Sequence, residues 1–300
     1  MKNFLVLLLL GLVLGMVAKD ALAQTHQELS KAYAHPELLV EPDWLEAHLA
    51  DPRLRIVDMR GETAYTSGHI PQAVHVEEGP LRNPEERFTY LPRPAAFAAM
   101  MSKAGIGRDT HVIIYDDQGG KMAARLWYVL NAFGHSRISL LNGGWNRWTI
   151  EKHSISTEMP KISPTIFPIK AIPDMTCPLP QFLARKPDVI VLDARSPEEY
   201  NGKSISPNAK QAGRVPGAVN VNWQENVTGP NMEFKTADAL RELYTAKGIT
   251  PDKEIVVHCA SGGRAAQSLF TLTLLGYPRV KVYYGSFSDY SALPNVPIEK

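Results

Sequence analysis

Glu254-Ile-Val-Val-His-Cys-Ala-Ser-Gly-Gly-Arg-Ala-Ala-Gln-Ser-Leu-Phe270 reads as a short apolar strand, a tight loop and a helix in immediate succession. Ile255-Val-Val257 is the strand, the loop opens at Cys259, and the helix begins near Arg264. Gly262 and Gly263 let the backbone turn sharply and take φ > 0 where a side chain would clash. The N–H groups of such a loop can converge just above the cysteine sulfur. The helix adds the positive end of its dipole there, and Arg264 adds a full charge. A thiol so placed ionises more readily than a free cysteine, because its anion is stabilised and its acid form is not. Cys259 is therefore the candidate nucleophile, in a cradle of Ala260, Ser261, Gly262, Gly263 and Arg264 suited to a small anion. The plainer alternative is a buried cysteine packing as a small hydrophobe.

Working outward from this stretch, the chain from Leu38 reads as one unit written twice. Trp44-Leu-Glu-Ala-His-Leu49 followed by Arg55-Ile-Val-Asp-Met-Arg60 matches Gln181-Phe-Leu-Ala184 followed by Val189-Ile-Val-Leu-Asp-Ala-Arg195. Asp58-Met-Arg-Gly-Glu-Thr-Ala-Tyr65 lines up with Asp193-Ala-Arg-Ser-Pro-Glu-Glu-Tyr200. Gly68-His-Ile-Pro-Gln-Ala-Val-His-Val76 lines up with Gly213-Arg-Val-Pro-Gly-Ala-Val-Asn-Val221, the second copy carrying an extra polar segment at 201–212. Asn142-Gly-Gly-Trp145 answers to Tyr284-Gly-Ser-Phe287. Short apolar strands alternating with amphipathic segments argue for an α/β fold, each copy an open, mainly parallel sheet flanked by helices. The expected division is a first domain at 38–149, a linker at 150–174 rich in proline, isoleucine and lysine, and a second domain at 175–295.

At the loop the copies differ. Cys259-Ala-Ser-Gly-Gly-Arg-Ala-Ala266 aligns with Asp116-Asp-Gln-Gly-Gly-Lys-Met-Ala123. A carboxylate is a poor substitute for a thiolate and should repel an anionic ligand. The first copy is thus expected to be silent, covering the second copy's site and shaping one wall of a cleft between domains.

Composition is ordinary for a globular chain of 300 residues, with 21% charged and 44% hydrophobic residues. A net charge of +1 points to neither nucleic acid nor an acidic membrane surface as partner. Lys2, the apolar run from Phe4 to Ala18 and the small residues of Ala21-Leu-Ala23 have the pattern of a secretory signal peptide, residues 1–23, cleaved before Gln24. The run is shorter than the roughly 20 residues that span a bilayer, so the mature protein is expected to be exported, periplasmic or secreted, without a membrane anchor. Residues 24–36 read as a polar lead-in. The only cysteines are Cys177 and Cys259, and Cys177 has no evident role. The scattered histidines show no paired spacing for a metal, and no phosphate-binding nucleotide loop is present. Asn226-Val-Thr228 is a formal glycosylation acceptor.

The paired Asp-x-Arg-x-x-x-x-Tyr blocks, the Gly-His-Ile-Pro and Gly-Arg-Val-Pro blocks and the Cys-x-x-Gly loop together resemble the rhodanese family over residues 38–292. The chain looks like a tandem-domain sulfurtransferase of the thiosulfate or 3-mercaptopyruvate type. The resemblance implies that Cys259 takes a sulfane sulfur from a small anionic donor as a persulfide. It then passes that sulfur to a thiophilic acceptor such as cyanide, a thiol or a protein, and no cofactor is needed. The loop N–H groups would hold the charge that moves between sulfurs, and Arg264 the anionic part of the donor. Arg195 and Arg214 are further candidates for that task. Arg60 stands at the place equivalent to Arg195 in the silent copy, however, so a structural ion pair is an equal reading. Arg214 replaces the family's usual histidine, kept at His69. Arg125 resembles a family position near the domain interface. The loop departs from both tandem patterns, Cys-Arg-Lys-Gly-Val-Thr and Cys-Gly-Ser-Gly-Val-Thr, so the donor stays open with thiosulfate preferred.

Two other readings compete. Phosphatases with a thiolate loop use Cys-x5-Arg, whereas Cys259 and Arg264 enclose four residues, a smaller ring matched to a lone sulfur. A persulfide carrier or binding module would accept one sulfur and turn over poorly.

Overall fold

The computed structural model describes residues 33–83, 91–170 and 175–300. The segment read as a signal peptide, and the linker residues 171–174, lie outside the described residues.

In the first domain, β1 (Leu39–Val40) leads to α1 (Pro42–Ala47), β2 (Leu54–Asp58), α2 (Glu62–Ser67) and β3 (Val74–His75). There follow α3 (Pro94–Lys103), β4 (His111–Tyr115), α4 (Lys121–Ala132), β5 (Ile138–Leu141) and α5 (Gly144–Ile150). The sheet is wholly parallel in the order β1-β5-β4-β2-β3. In the second domain α6 (Leu179–Leu183) precedes β6 (Ile190–Asp193), α7 (Pro197–Tyr200), β7 (Val219–Asn220) and a small hairpin of β8 (Val227–Thr228) with β9 (Glu233–Phe234). Then come α8 (Ala237–Thr245), β10 (Ile255–His258), α9 (Gly263–Leu274), β11 (Val280–Val282) and α10 (Ser286–Tyr290). Its parallel sheet runs β11-β10-β6-β7, and Thr176 adds a parallel bridge to Val282 where the first domain has β1. The duplicated sequence thus folds into one strand order used twice.

The strands of both sheets are near-continuous apolar runs because helices cover both faces, the pattern of buried parallel sheets. Val112, Ile113 and Ile114 of β4 and Ile255 and Val257 of β10 have no exposed surface.

The two domains meet along α4 and α9, the helices that follow the two aligned loops. Both are buried almost all round, and Trp127 meets Phe270 edge to face with ring centroids 5.2 Å apart. Truncating either ring to alanine removes a fully packed aromatic, a change that costs about 3–5 kcal/mol in cores of this kind. The hairpin also crosses the junction, its Phe234 N–H donating to Asn142 Oδ1 at 3.0 Å.

Other segments tie the halves further. Part of the linker lies on the first domain: Ser156 pairs antiparallel with His69, and Phe167, almost fully buried, donates its N–H to Ser102 Oγ. The chain end does the same for the second domain, Glu299 pairing antiparallel with Arg214. The lead-in crosses to the other half: Tyr33 hydroxyl donates to Lys235 carbonyl, and His35 N–H to Leu274 carbonyl. Asn226, the formal glycosylation acceptor, is buried and bonded to Gln267 and Tyr244. No helix among the described residues is long and apolar enough to cross a membrane.

Candidate active site

Cys259 stands one residue past the end of β10, at the carboxyl edge of the sheet, where open α/β folds place their ligands. The strand delivers the cysteine, and Gly262 caps α9 in the left-handed region at φ 95°. A side chain there would put its Cβ 2.9 Å from the Tyr284 ring, so the turn needs glycine for both conformation and space. The Gly262 N–H donates to Cys259 Sγ at 3.1 Å. Burial alone would push the thiol up. The Arg264 charge and the N–H groups of Ala265, Ser261 and Gly262 outweigh it, and the thiol lies below its ordinary value. The expected cradle is present in altered membership, with Ala265 supplying one of the N–H groups that reach the sulfur. Cys259 N–H donates to Ser286 Oγ at 3.1 Å, which anchors the loop's first residue to α10.

The first domain shows what the same cradle does with a carboxylate. Asp116 accepts from the N–H groups of Gln118, Gly120, Met122 and Ala123 at 2.6–2.9 Å. The side chain is therefore the cradle's own occupant and takes up the donors that an anionic ligand would need. Burial pushes this carboxyl up, held back by those four donors.

Over Cys259 opens a cleft of about 460 Å³ lined from both domains. The first domain contributes Glu78, Arg82, Lys121, Met122 and Arg125; the second contributes Glu199, Pro207 and the loop residues Cys259, Ala260, Ser261, Gly263 and Arg264. The first copy does form one wall.

Most of the cleft's charges are already paired. Arg264 grips Glu199 in a two-pronged bridge at 2.5 and 3.0 Å. Burial pushes Glu199 up, but the hydrogen bonds from Arg264 and Ser206 win and hold it at about 2. Glu78 Oε1 accepts from both Arg82 and Arg125 at 2.5 Å. Arg125 reaches on to the Tyr284 hydroxyl at 2.6 Å, and Arg82 to the Ser261 carbonyl at 3.0 Å.

Arg195 and Arg214 do not line this cleft. Arg195 is fully buried, gripping Asp193 and donating to Gly213 carbonyl and Ser206 hydroxyl. Arg60 does the same with Asp58 and Gly68 carbonyl, so the structural ion pair is the arrangement at both copies. Arg214 lies over the Tyr200 ring at 4.7 Å with Glu299 at 3.3 Å, a post at which its copy His69 likewise secures a trailing segment. Cys177 is buried and unpaired with Cys259, and burial pushes its thiol up to about 11. Among the described residues no cluster of His, Cys, Asp or Glu could hold a metal ion.

Glu78, Arg82, Lys121, Glu199 and Ser286 escape a sequence reading. Lys121 could have been found, since it aligns with Arg264, and Glu199 follows Ser196 by three residues in a capping box. Arg82 and Ser286 carry no local signal.

The model of the Rhodanese-like domain matches this chain twice, at residues 41–151 and 181–293. The chain belongs to that family: it is a tandem rhodanese-domain protein related to bacterial thiosulfate and 3-mercaptopyruvate sulfurtransferases, and its enzymatic class is sulfur transfer. Among its relatives, the Sulfur carrier protein TtuD of Thermus thermophilus is 35% identical over 89% of this chain and 98% of its own length. The 3-mercaptopyruvate sulfurtransferase of Escherichia coli K12 is 33% identical over 87% of this chain and 97% of its own. The crystal structure of SseA from Escherichia coli, a 3-mercaptopyruvate sulfurtransferase, superposes with a TM-score of 0.75 at 31% identity, over 83% of this chain and 98% of that one.

Proposed function

We propose that this protein moves a sulfane sulfur from thiosulfate, or secondly 3-mercaptopyruvate, to a thiophilic acceptor such as cyanide or a thiol through a persulfide on Cys259. The observation that carries this reading is a thiol held below its ordinary value, in a ring of N–H groups, at the floor of a cleft lined by four basic side chains against two carboxylates.

In the first step the Cys259 thiolate attacks the outer sulfur of thiosulfate. The S–S bond of the donor breaks, sulfite leaves with the electron pair, and a persulfide remains. In the second step the acceptor attacks the terminal sulfur, and the pair returns to Cys259 as thiolate. Negative charge shifts by one sulfur atom in each step, and the N–H groups of Ser261, Gly262 and Ala265 are fixed in advance around the Cys259 sulfur, where that charge begins and to which it returns. Arg264 supplies charge beside the thiolate. The excess of basic side chains supports the doubly charged thiosulfate over the singly charged 3-mercaptopyruvate.

A second reading is favoured by one relative, the sulfur carrier protein at 35% identity. Such a protein loads one sulfur and delivers it to a protein acceptor. Steady-state transfer to cyanide with both donors separates the two. Multiple turnovers on thiosulfate support the enzyme, whereas a single stoichiometric loading without turnover replaces it with the carrier.

Export completes the proposal and rests on the signal-peptide pattern of residues 1–23. Fractionation with N-terminal sequencing tests it: a mature chain starting at Gln24 outside the cytoplasm supports export, and an intact Met1 chain in the cytoplasm refutes it.

A further inference from the structure

Four basic side chains line the cleft over Cys259, and three of them are spoken for. Arg264 is gripped by both oxygens of Glu199. Arg82 and Arg125 share Glu78; Arg82 also donates to the Ser261 carbonyl and Arg125 to the Tyr284 hydroxyl, which leaves the buried Nε of Arg125 without a partner among the described residues. A guanidinium in such a charge-assisted pair must give up a strong bond before it can hold an incoming anion.

Lys121 is different. Its ammonium makes no hydrogen bond or ion pair with any described residue. Its contact is with the face of Trp223, a second-domain ring whose centroid lies 5.7 Å from Nζ. The side chain therefore extends from the first domain across the junction. It lines the Cys259 cleft and also an adjoining recess with Arg60, His75 and the carboxylates Glu62, Glu77 and Glu78, which puts it on the rim between them. Its backbone is fixed as the first residue of α4, directly after the left-handed Gly120. An ammonium on a flexible stem, with three donors it can rotate, adapts to either a sulfonate or a carboxylate.

The repeat sharpens the point. Lys121 occupies in the first copy the place of Arg264 in the second, each following a Gly-Gly pair. The second copy's cation is neutralised by Glu199 beside its own thiol. The first copy has no thiol to serve, and its cation reaches into the neighbouring domain's cleft, near enough to Glu78 for their charges to interact but in no ion pair with it.

We propose that Lys121 is the residue that holds the anionic end of the sulfur donor over Cys259, so that the silent domain sets the preference for a charged donor. This rests on the sulfurtransferase reading given above. The donor class it selects is a small oxyanion bearing a transferable sulfur, and uncharged sulfur donors gain nothing from it.

Two readouts on Lys121→Gln and Lys121→Arg test the assignment. In steady-state transfer from thiosulfate to cyanide, Lys121→Gln should raise the thiosulfate KM about five- to tenfold, with a smaller change in kcat, and Lys121→Arg should recover most of the loss. Separately, sulfate, an inert oxyanion of the donor's shape, should shield Cys259 from alkylation by neutral iodoacetamide, and Lys121→Gln should weaken that protection by a similar factor. Exposed Lys247→Gln serves as the control for lost charge at a distance. If the wild type transfers no sulfur from any donor, the enzymatic reading fails, while the sulfate measurement still judges Lys121. Sulfate protection that is as strong in Lys121→Gln as in wild type, or a thiosulfate KM unmoved in an active Lys121→Gln, overturns the proposal.

Discussion

Arg82 of the first domain donates to the carbonyl oxygen of Ser261 at 3.0 Å, and in doing so it fixes the hydrogen bond on the other side of the same peptide. A trans peptide is planar, with its C=O and N–H pointing in opposite directions. With the Ser261 oxygen turned to Arg82, the Gly262 N–H is turned to Cys259 Sγ, at 3.1 Å. A guanidinium on the oxygen also polarises the N–H opposite, so the first domain helps to keep the thiol acidic. Arg82→Met should therefore raise the midpoint of the pH profile for Cys259 alkylation and lower kcat/KM about tenfold. An unmoved midpoint would show that the loop holds this peptide without help.

Cys259→Ser should abolish transfer and leave the mass gain of one sulfur undetectable after thiosulfate treatment. The replacement is nearly isosteric in a buried position, so the unfolding midpoint should change little. Residual transfer above background would move the nucleophile elsewhere.

In the wild type the pH dependence follows from the lowered thiol. Loading needs the thiolate, so the rate of sulfur uptake should be flat at alkaline pH and fall as pH drops through a midpoint below that of a free cysteine. A midpoint at or above the ordinary value, read from the alkylation profile, would contradict the cradle.

Asp116→Ala strips the acceptor from four N–H groups at once, those of Met122 and Ala123 buried, and should destabilise the protein by about 3 kcal/mol. Asp116→Asn keeps one carbonyl oxygen and should cost less. Chemical denaturation of the intact chain compares the three, and equal midpoints would mean that the loop carries no such dependence.

Glu199 contributes on the acid side. Its native value of about 2 lies below the ordinary carboxylate value, so its stabilisation is complete above that ordinary value and is lost as pH falls toward 2. Glu199→Gln should lower stability at neutral pH and flatten this acid limb, because Arg264 is left without its partner in a half-buried place. An acid limb as steep as the wild type's would remove Glu199 from that role.

The duplicated architecture was legible because it repeats: two sets of strands with matching Asp-x-Arg and Gly-x-x-Pro blocks leave little freedom in strand order. The Cys259 loop was legible because its strand, glycines and helix are contiguous. What could not be read are contacts made by residues far apart in sequence. Glu199 reaches Arg264 across 65 positions, and Arg82 reaches Ser261 across 179. Arg195 looked equally suited to binding and to structure, and only the enclosure of its partners Asp193 and Gly213 shows which arrangement it adopts. The docking of the chain end is of the same long-range kind, Glu299 meeting Arg214 through both backbone and side chain.

The crossing of the lead-in to the far half has a consequence for the order in which the molecule can be finished. Tyr33 and His35 dock on Lys235 and Leu274, which are the last third of the chain to be made. While the first domain emerges and collapses, Tyr33 and His35 lack the partners they dock on. Only when α9 is complete do they find their place beside it. Tyr33 and His35, the first described residues to make such contacts, are thus among the last to come to rest, and a chain cut short after its first domain leaves both undocked.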